Sequence, residues 1–573
     1  MGASSTPFSF TLLTSVSVLH FYDWLVIGLY ALVMILIGWL AQRRGQQTLA
    51  DYFNGGKNLP WWLVGTSMVA TTFAADTPLA VTGIVASEGV AGNWIWWNFL
   101  FSGMLTVFVY AKLWKRADVI TDVEFIEKRY SGRPAAALRG FRALYLAFPI
   151  NCIILGWVTV GMAKILSVIT PLNEWSIILL LYGLTGLYIM LSGLWGVIVT
   201  DFIQFLIAMG GSILLAVLAV NHVGGLGELQ TQLTAQFGEG HHYTQFIPYD
   251  NPELLMSTFL VWIGMMWWAS WYPGMEPGGG GYVAQRMFSA KNEAHAVGGT
   301  LFFYVMHFVL RPWPWILVAL ASLIMFPGLE DKELGYPMVM LELLPPGLFG
   351  LLVVAFLSAF ISTVSTHLNW GASYAVNDVY KRFIKPPEQF QTEASAQRHY
   401  VWISRIATLI IMGFAILVSW FFDNVKDGWE AILALGAGTG PVYLLRWFWW
   451  RINAWSEIAA MSGAALGVLL ANLLGLDGLA DTLFFTTVFS TVVWLSVTFL
   501  TRPVDAAHLE SFFRLVRPGG AGWQPVKARI TLPESKETGL LARPLSHAIG
   551  ITAAAALAII LLMYMSHYLL LGG

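Results

Sequence analysis

The sequence predicts an all-α polytopic membrane protein with about fourteen transmembrane helices, and three observations carry that prediction. The 573-residue chain is 57% hydrophobic and only 11% charged, against about 25% charge in an ordinary soluble domain. Its apolar residues gather into runs of roughly 20, the length a helix needs to cross a bilayer. Its basic residues collect between alternate runs, as cytoplasmic loops require. The lipid bilayer is therefore the first partner the composition implies.

Taken in order, the apolar runs are 21–41, 61–86, 92–113, 143–169, 174–195, 197–220, 254–275, 299–326, 346–377, 401–422, 427–446, 455–475, 480–501 and 545–570. With the N-terminus outside, 26 of the 31 Lys and Arg residues fall at the inner ends and loops that follow spans 1, 3, 7, 9, 11 and 13. The long outer loop 221–253 has no Lys or Arg. This split places the chain in a plasma (inner) membrane with both termini outside.

Several function classes are excluded early. Net charge is −2, which gives no electrostatic footprint for nucleic acid. The single cysteine, Cys152, allows neither an internal disulfide nor a thiolate metal site. His241-His242 lies in a polar loop without a metalloprotease helix or a nucleophile motif, so no enzyme is expected. A channel pore would want rings of polar residues repeated by oligomerisation, whereas the paired breaks of spans 2 and 7 give one chain an asymmetric site of its own.

Two spans carry breaks. Span 2 contains Ala74-Ala75-Asp76-Thr77-Pro78, a carboxylate at mid-membrane depth beside a helix-disrupting proline. Span 7 ends in Pro273-Gly274-Met275-Glu276-Pro277 followed by four glycines, Gly278 to Gly281, which cannot continue as a helix. The breaks lie five spans apart. A five-span repeat inverts its topology, so 61–220 and 254–450 are expected as two inverted repeats. They would be preceded by an extra helix and inner loop in 1–60 and followed by further helices in 451–573. Paired broken helices mark a site near the bilayer midplane, where freed carbonyls line a cavity.

Residue types then suggest ligands. Span 9 places Ser362, Thr363, Ser365 and Thr366 on neighbouring helical faces, and hydroxyl oxygens suit a hard cation such as Na⁺. Asp76 is costly at its depth and is a functional candidate by default. Arg311 and Lys164 are cations inside spans and need partners. Trp268, Trp271 and Tyr272 in span 7, with Asn98 in span 3, offer aromatic faces and an amide for a small polar solute.

Seven stretches in order resemble the sodium:solute symporter family: DYFNGGKNLPWW at 51–62, EFIEKRY at 124–130, GLWGVIVTDFIQ at 193–204, QRMFSAK at 285–291, NDVYKRF at 377–383, SRIAT at 404–408 and WWRINAW at 449–455. The resemblance spans roughly residues 20–500. It implies a LeuT-type five-plus-five inverted-repeat core with one extra helix before it and three after it. It also implies sodium-coupled symport of a small polar organic solute by alternating access; the few charges lining the expected pocket favour a neutral or zwitterionic solute, with a sugar or sugar-like one preferred. A non-transporting sensor of the same fold and a sodium-coupled amino acid or carboxylate carrier are the alternatives. Residues 502–544 are short for a signalling domain.

Carried over position by position, the resemblance implies a main sodium site. It is built from the carbonyls of Ala70, Phe73 and Ala359 and the hydroxyls of Ser362 and Thr363. It implies a possible second sodium at Asp201, Ser365 and Thr366. Asp76 matches an acidic residue of several members, the proline carriers among them. Asp76, Thr77, Asn98, Trp268, Trp271, Tyr272 and Arg311 are the expected substrate pocket.

Overall fold

The computed structural model describes residues 19–42, 58–119, 122–191, 194–249, 251–269, 278–476, 478–531 and 545–572. The protein is all-α. Among the described residues the one β feature is a parallel bridge between Leu59 and Ala290.

The expectation of about fourteen transmembrane helices in a LeuT-type five-plus-five core is corrected by the structure. Among the described residues, nine helices are long and apolar enough to cross a membrane: Val90–Ala117, Gly132–Ile169, Ile203–His222, Glu293–Met325, Leu348–Ile384, Glu393–Ser419, Ala454–Leu473, Leu479–Leu500 and Leu545–Leu571. The difference has a physical reason. Hydropathy weighs composition, whereas the length of a continuous helix is set by its hydrogen-bond ladder. The run 61–86 divides into Trp61–Thr71 and Asp76–Glu88. The run 427–446 divides into Val425–Ala437 and Gly440–Phe448. The first half of the 254–275 run is a short π-helical turn, Met256–Ile263, followed by a 3₁₀ turn, Met266–Trp268.

The Leu348–Ile384 helix lies at the centre of the core. It touches Phe21–Gln42, Leu194–His222, Asn151–Ile169 and Glu393–Ser419. It is apolar on nearly every side, as a helix enclosed by others must be, yet it buries Ser358, Ser362, Thr363, Ser365, Thr366 and His367. Its N-cap is Gly347, which has no capping side chain. The cap comes instead from Asp23, whose Oδ1 accepts the N–H groups of Gly347 at 2.7 Å and Gly350 at 2.8 Å. These are orphan donors of a helix start. The approach is close: a Cβ on Gly350 would lie 2.5 Å from the Asp23 Cα.

Charged residues gather at the two ends of the core. The Gly132–Ile169 helix carries Arg139 and Arg142 near one end and Lys164 near the other, about 33 Å apart at 1.5 Å per residue. At the first end, Arg142 and Arg446 both meet Glu457, and Arg139 meets Asp378 and Glu127. At the second end, Lys164 meets Asp331 and Glu333, and Lys426 meets Glu88 and Glu430.

Candidate functional site: a broken helix beside a hydroxyl-bearing helix

The first break is local in origin. Trp61–Thr71 stops at Thr72, whose hydroxyl donates back to the carbonyls of Val69 (2.9 Å) and Met68 (3.2 Å). Such back-bonding competes with the helix ladder. Phe73, Ala74 and Ala75 are non-helical, and the chain re-enters a helix at Asp76. Pro78 is the third residue of the new helix, where a missing N–H costs nothing. The proline thus starts the second half rather than kinking a continuous helix. Thr77 reaches across the break, its hydroxyl donating to the Thr72 carbonyl at 3.4 Å.

Arg311 binds the end of the first half. Its Nη1 donates to the Thr72 hydroxyl at 2.6 Å and to the Val69 carbonyl at 3.2 Å. Its guanidinium lies 5.2 Å from the Trp315 ring centre and 5.9 Å from that of Phe73. A fixed positive charge at the C-terminal end of a helix is favourable. This accounts for a buried cation that the sequence left without a partner.

Asp76 is buried at the first position of the new helix, whose N-cap is Ala75, and its carboxylate meets the Asp76 and Thr77 N–H groups. Oδ2 accepts from Trp157 Nε1 at 3.0 Å, and Oδ1 has no hydrogen-bond partner. One helical turn beyond Trp157, Gly161 lets the Asn151–Ile169 helix press on the break; a Cβ there would lie 2.7 Å from the Asp76 Cα. A buried carboxylate with one oxygen unsatisfied is expensive, so the geometry marks a place for a donor or a cation.

The expected sodium residues flank this break. Ala70 and Phe73 lie at its edge, where the Ala70 carbonyl accepts only the tight turn from the Phe73 N–H at 2.9 Å among backbone bonds outside regular helix. The Phe73 ring stacks on Phe356, 6.3 Å between centres and 8° between planes, one turn before Ala359 on the hydroxyl-bearing helix. Ala359, Ser362 and Thr363 are all buried there. Of the second-site residues, Ser365 bonds back to the Ser362 carbonyl at 3.0 Å, and the buried Thr366 hydroxyl has no partner. The backbone of Asp201 belongs to Leu194–His222, but its side chain lies outside the described residues, as do Trp271 and Tyr272.

The rest of the expected pocket is less convergent. Asn98 gives its amide nitrogen to the carbonyls of Trp94 and Ile95, both at 2.9 Å, and its Oδ1 is buried without a partner. Trp268 packs on Trp267 and sits against Gly440, where a Cβ would come within 1.9 Å of the Trp268 carbonyl oxygen. Neither residue hydrogen-bonds to the break.

Of the second predicted break, Gly278 to Gly281 are described and Pro273 to Pro277 lie outside the described residues. Gly278 (φ +97°) and Gly279 (φ +87°) adopt a conformation that only glycine takes easily. Asp122 anchors the helix that follows. Its Oδ2 accepts the Gly281 N–H at 3.1 Å and its Oδ1 accepts from Tyr374, at the end of the hydroxyl-bearing helix. The Gly281–Ser289 helix lies beside Trp61–Thr71, linked through Arg286 Nε to Ser67 Oγ at 3.0 Å and through the Leu59–Ala290 bridge. Both broken elements therefore share one region of the core with the hydroxyl-bearing helix. No cluster of His, Cys, Asp and Glu suited to a metal ion occurs among the described residues.

The model of the sodium:solute symporter family matches residues 52–467. The chain belongs to that family. It is 24% identical to sodium/glucose cotransporter 1 of Oryctolagus cuniculus, covering 78% of this chain and 70% of that one. It is 24% identical to the sodium/glucose cotransporter of Vibrio parahaemolyticus, covering 85% and 92%. It is 25% identical to sodium/myo-inositol cotransporter 2 of Oryctolagus cuniculus, covering 78% and 69%. Among solved structures, a substrate-bound, outward-open Na⁺-coupled sialic acid symporter shares the fold with a TM-score of 0.69 at 20% identity, covering 85% of this chain and 99% of that one. The symporter is accordingly a multi-pass, sodium-coupled secondary transporter of a small polar solute.

Sequence reasoning missed three partners that the fold supplies: Trp157 to Asp76, Asp122 to Gly281, and Glu333 to Lys164. Trp157 and Asp122 left no signal among their neighbours, being one of 27 tryptophans and one of many loop acids. Glu333 was findable in principle, because the in-span cation Lys164 demanded an acid.

Proposed function

We propose that the symporter couples Na⁺ entry to uptake of a neutral polyhydroxylated solute of the sugar or cyclitol class by alternating access. The observation that carries this reading is the buried, unpartnered Oδ1 of Asp76 at the helix break. Such an oxygen accepts a solute hydroxyl and repels a carboxylate. Arg311 and Thr77 frame the break from either side, and the relatives named for glucose and myo-inositol point to the same solute class. The main ion lies between the carbonyls of Ala70, Phe73 and Ala359 and the hydroxyls of Ser362 and Thr363. Asp201, Ser365 and Thr366 form the second ion position, where the unpartnered Thr366 hydroxyl supports it. The end bearing Arg139, Arg142 and Arg446 faces the cytoplasm of a plasma (inner) membrane, and both termini lie outside.

Proteoliposomes test the reading. An inward Na⁺ gradient should drive accumulation of D-glucose or myo-inositol, and K⁺ should not. Equal uptake under both ions removes the sodium coupling. Counterflow with L-proline but with neither polyol transfers the symporter to the amino acid carriers, the reading that a carboxylate facing a solute ammonium would give. Reversal potentials at a fixed solute gradient give the ion count. Two Na⁺ per solute, falling to one in Asp201→Asn, is the expected result.

A further inference from the structure

The acid Glu333 lies in the short loop turn Lys332–Leu334, outside the spans, and is itself buried. It touches three helices at once. Its Oε2 accepts from Lys164 Nζ at 2.7 Å, near the end of Asn151–Ile169. Its Oε1 accepts the Val425 N–H at 3.0 Å and the Lys426 N–H at 3.4 Å, the first donors of Val425–Ala437. Its Cγ presses on Gly83 of the Asp76–Glu88 helix, where a Cβ would come within 2.8 Å. A carboxylate at a helix N-terminus that also meets an ammonium is held by charge from both sides.

These same three helices meet again at the break. Asp76 begins the first. Trp157, on the second, donates to Asp76. Gly428, on the third, packs against the Trp157 indole so closely that a Cβ would lie 2.7 Å from the ring. The indole is thus fixed between Gly428 on one side and the Asp76 carboxylate on the other. A shift of Val425–Ala437 relative to Asn151–Ile169 must move the indole, and with it the donor that orients Asp76.

We propose that Glu333 and Trp157 are positioning residues for Asp76, the loop carboxylate setting the register of the three helices and the indole passing that register to the carboxylate at the break. The inference rests on the reading that Asp76 meets the solute. In it, release of the loop turn lets the Trp157–Asp76 bond lapse, so the solute-binding geometry exists only while the turn is seated. Neither residue touches solute or ion in this scheme.

The test uses the full chain in lipid nanodiscs and proteoliposomes. Two changes cut the linkage at different places: Glu333→Gln, and replacement of Trp157 by benzothienylalanine, which keeps the ring shape and removes the N–H donor. In Na⁺-driven uptake of D-glucose and myo-inositol, each should raise the solute KM about tenfold while the Na⁺ half-saturation and maximal rate stay near wild type. Combining either with Asp76→Asn should add nothing further. Hydrogen exchange without any solute gives the second readout. Backbone amides of residues 72–77 should exchange faster in both variants, while those of 358–366 keep their wild-type rates. Faster exchange in both segments indicates general loosening and overturns the proposal, as does unchanged exchange at 72–77. A wild-type KM in both variants overturns it while Asp76→Asn is impaired. Normal transport in Asp76→Asn instead removes the solute-site reading on which it rests.

Discussion

The hydroxyl of Tyr130 donates to Oε1 of Glu457 at 2.6 Å, joining a loop in the first quarter of the chain to the Ala454–Leu473 helix. Two arginines share the same carboxylate, Arg142 at 3.1 Å and Arg446 at 3.3 Å, and Glu457 is fully buried with them. Two buried guanidiniums thus share one acid.

Removing that acid breaks both buried ion pairs, and breaking a buried pair costs about 3–5 kcal/mol. Glu457→Ala is therefore expected to lower thermal stability in detergent sharply. Tyr130→Phe, which removes one bond to a charged group, should cost only about 1.5–3 kcal/mol. Thermal unfolding of the purified variants measures both, and equal costs would show that the arginines do not depend on the acid.

The double substitution Ser362→Ala with Thr363→Ala removes two of the five oxygens assigned to the main ion. Both positions are buried in the middle of a long helix, and alanine suits a helix interior. The fold should hold while the Na⁺ half-saturation of uptake rises at least tenfold, which corresponds to ~1.4 kcal/mol. An unchanged half-saturation would move the ion elsewhere.

Gly161→Ala tests the close approach at the break. The added carbon meets the Asp76 backbone at 2.7 Å, and backbone cannot rotate away as a side chain can. Overpacking of this kind costs about 1–3 kcal/mol. Transport should fall further than stability does, because the strain is delivered at Asp76. Gly183→Ala, with nothing within 4 Å of the new carbon, is the matched control and should behave as wild type.

A pH effect is expected from Glu127. Burial pushes its carboxyl up, but the hydrogen bonds from Arg382 and Arg139 outweigh burial and hold it below the ordinary glutamate range. A carboxylate with a depressed folded-state pKa contributes stability that is complete above its unfolded value and is lost as pH falls through the folded one. Glu127→Gln should therefore be less stable than wild type at neutral pH, and the gap should close in acid. Melting curves from neutral pH down through the carboxylate range measure it, and a gap that widens in acid would contradict the pairing.

Residue chemistry read from the sequence located the break at Asp76, the hydroxyl run at 362–366 and the need of Lys164 for an acid. Each is a polar residue in an apolar run, and that contrast is visible without a structure. The helix count was not legible in the same way. The run 427–446 reads as apolar enough to cross, yet the ladder ends at Ala437 and resumes at Gly440, and hydropathy does not register hydrogen bonds. Partners distant in the chain were also hidden. Lys164 and Glu333 are separated by 169 positions, and Trp157 and Asp76 by 81, so only the packed fold could pair them. Arg311 was recognised as a buried cation, but its use in binding the end of a half-helix depended on knowing where that helix stops.

The bond from Asp23 to Gly347 and Gly350 has a practical consequence. It couples the Phe21–Gln42 helix to the start of the Leu348–Ile384 helix through two backbone donors and a glycine contact. Leu25, Leu29 and Leu36 on that first helix are exposed and far in sequence from Ser362 and Thr363. A fluorophore or spin label placed there would report displacement of the hydroxyl-bearing helix during turnover without touching it, giving a single-molecule view of the transport cycle from its periphery.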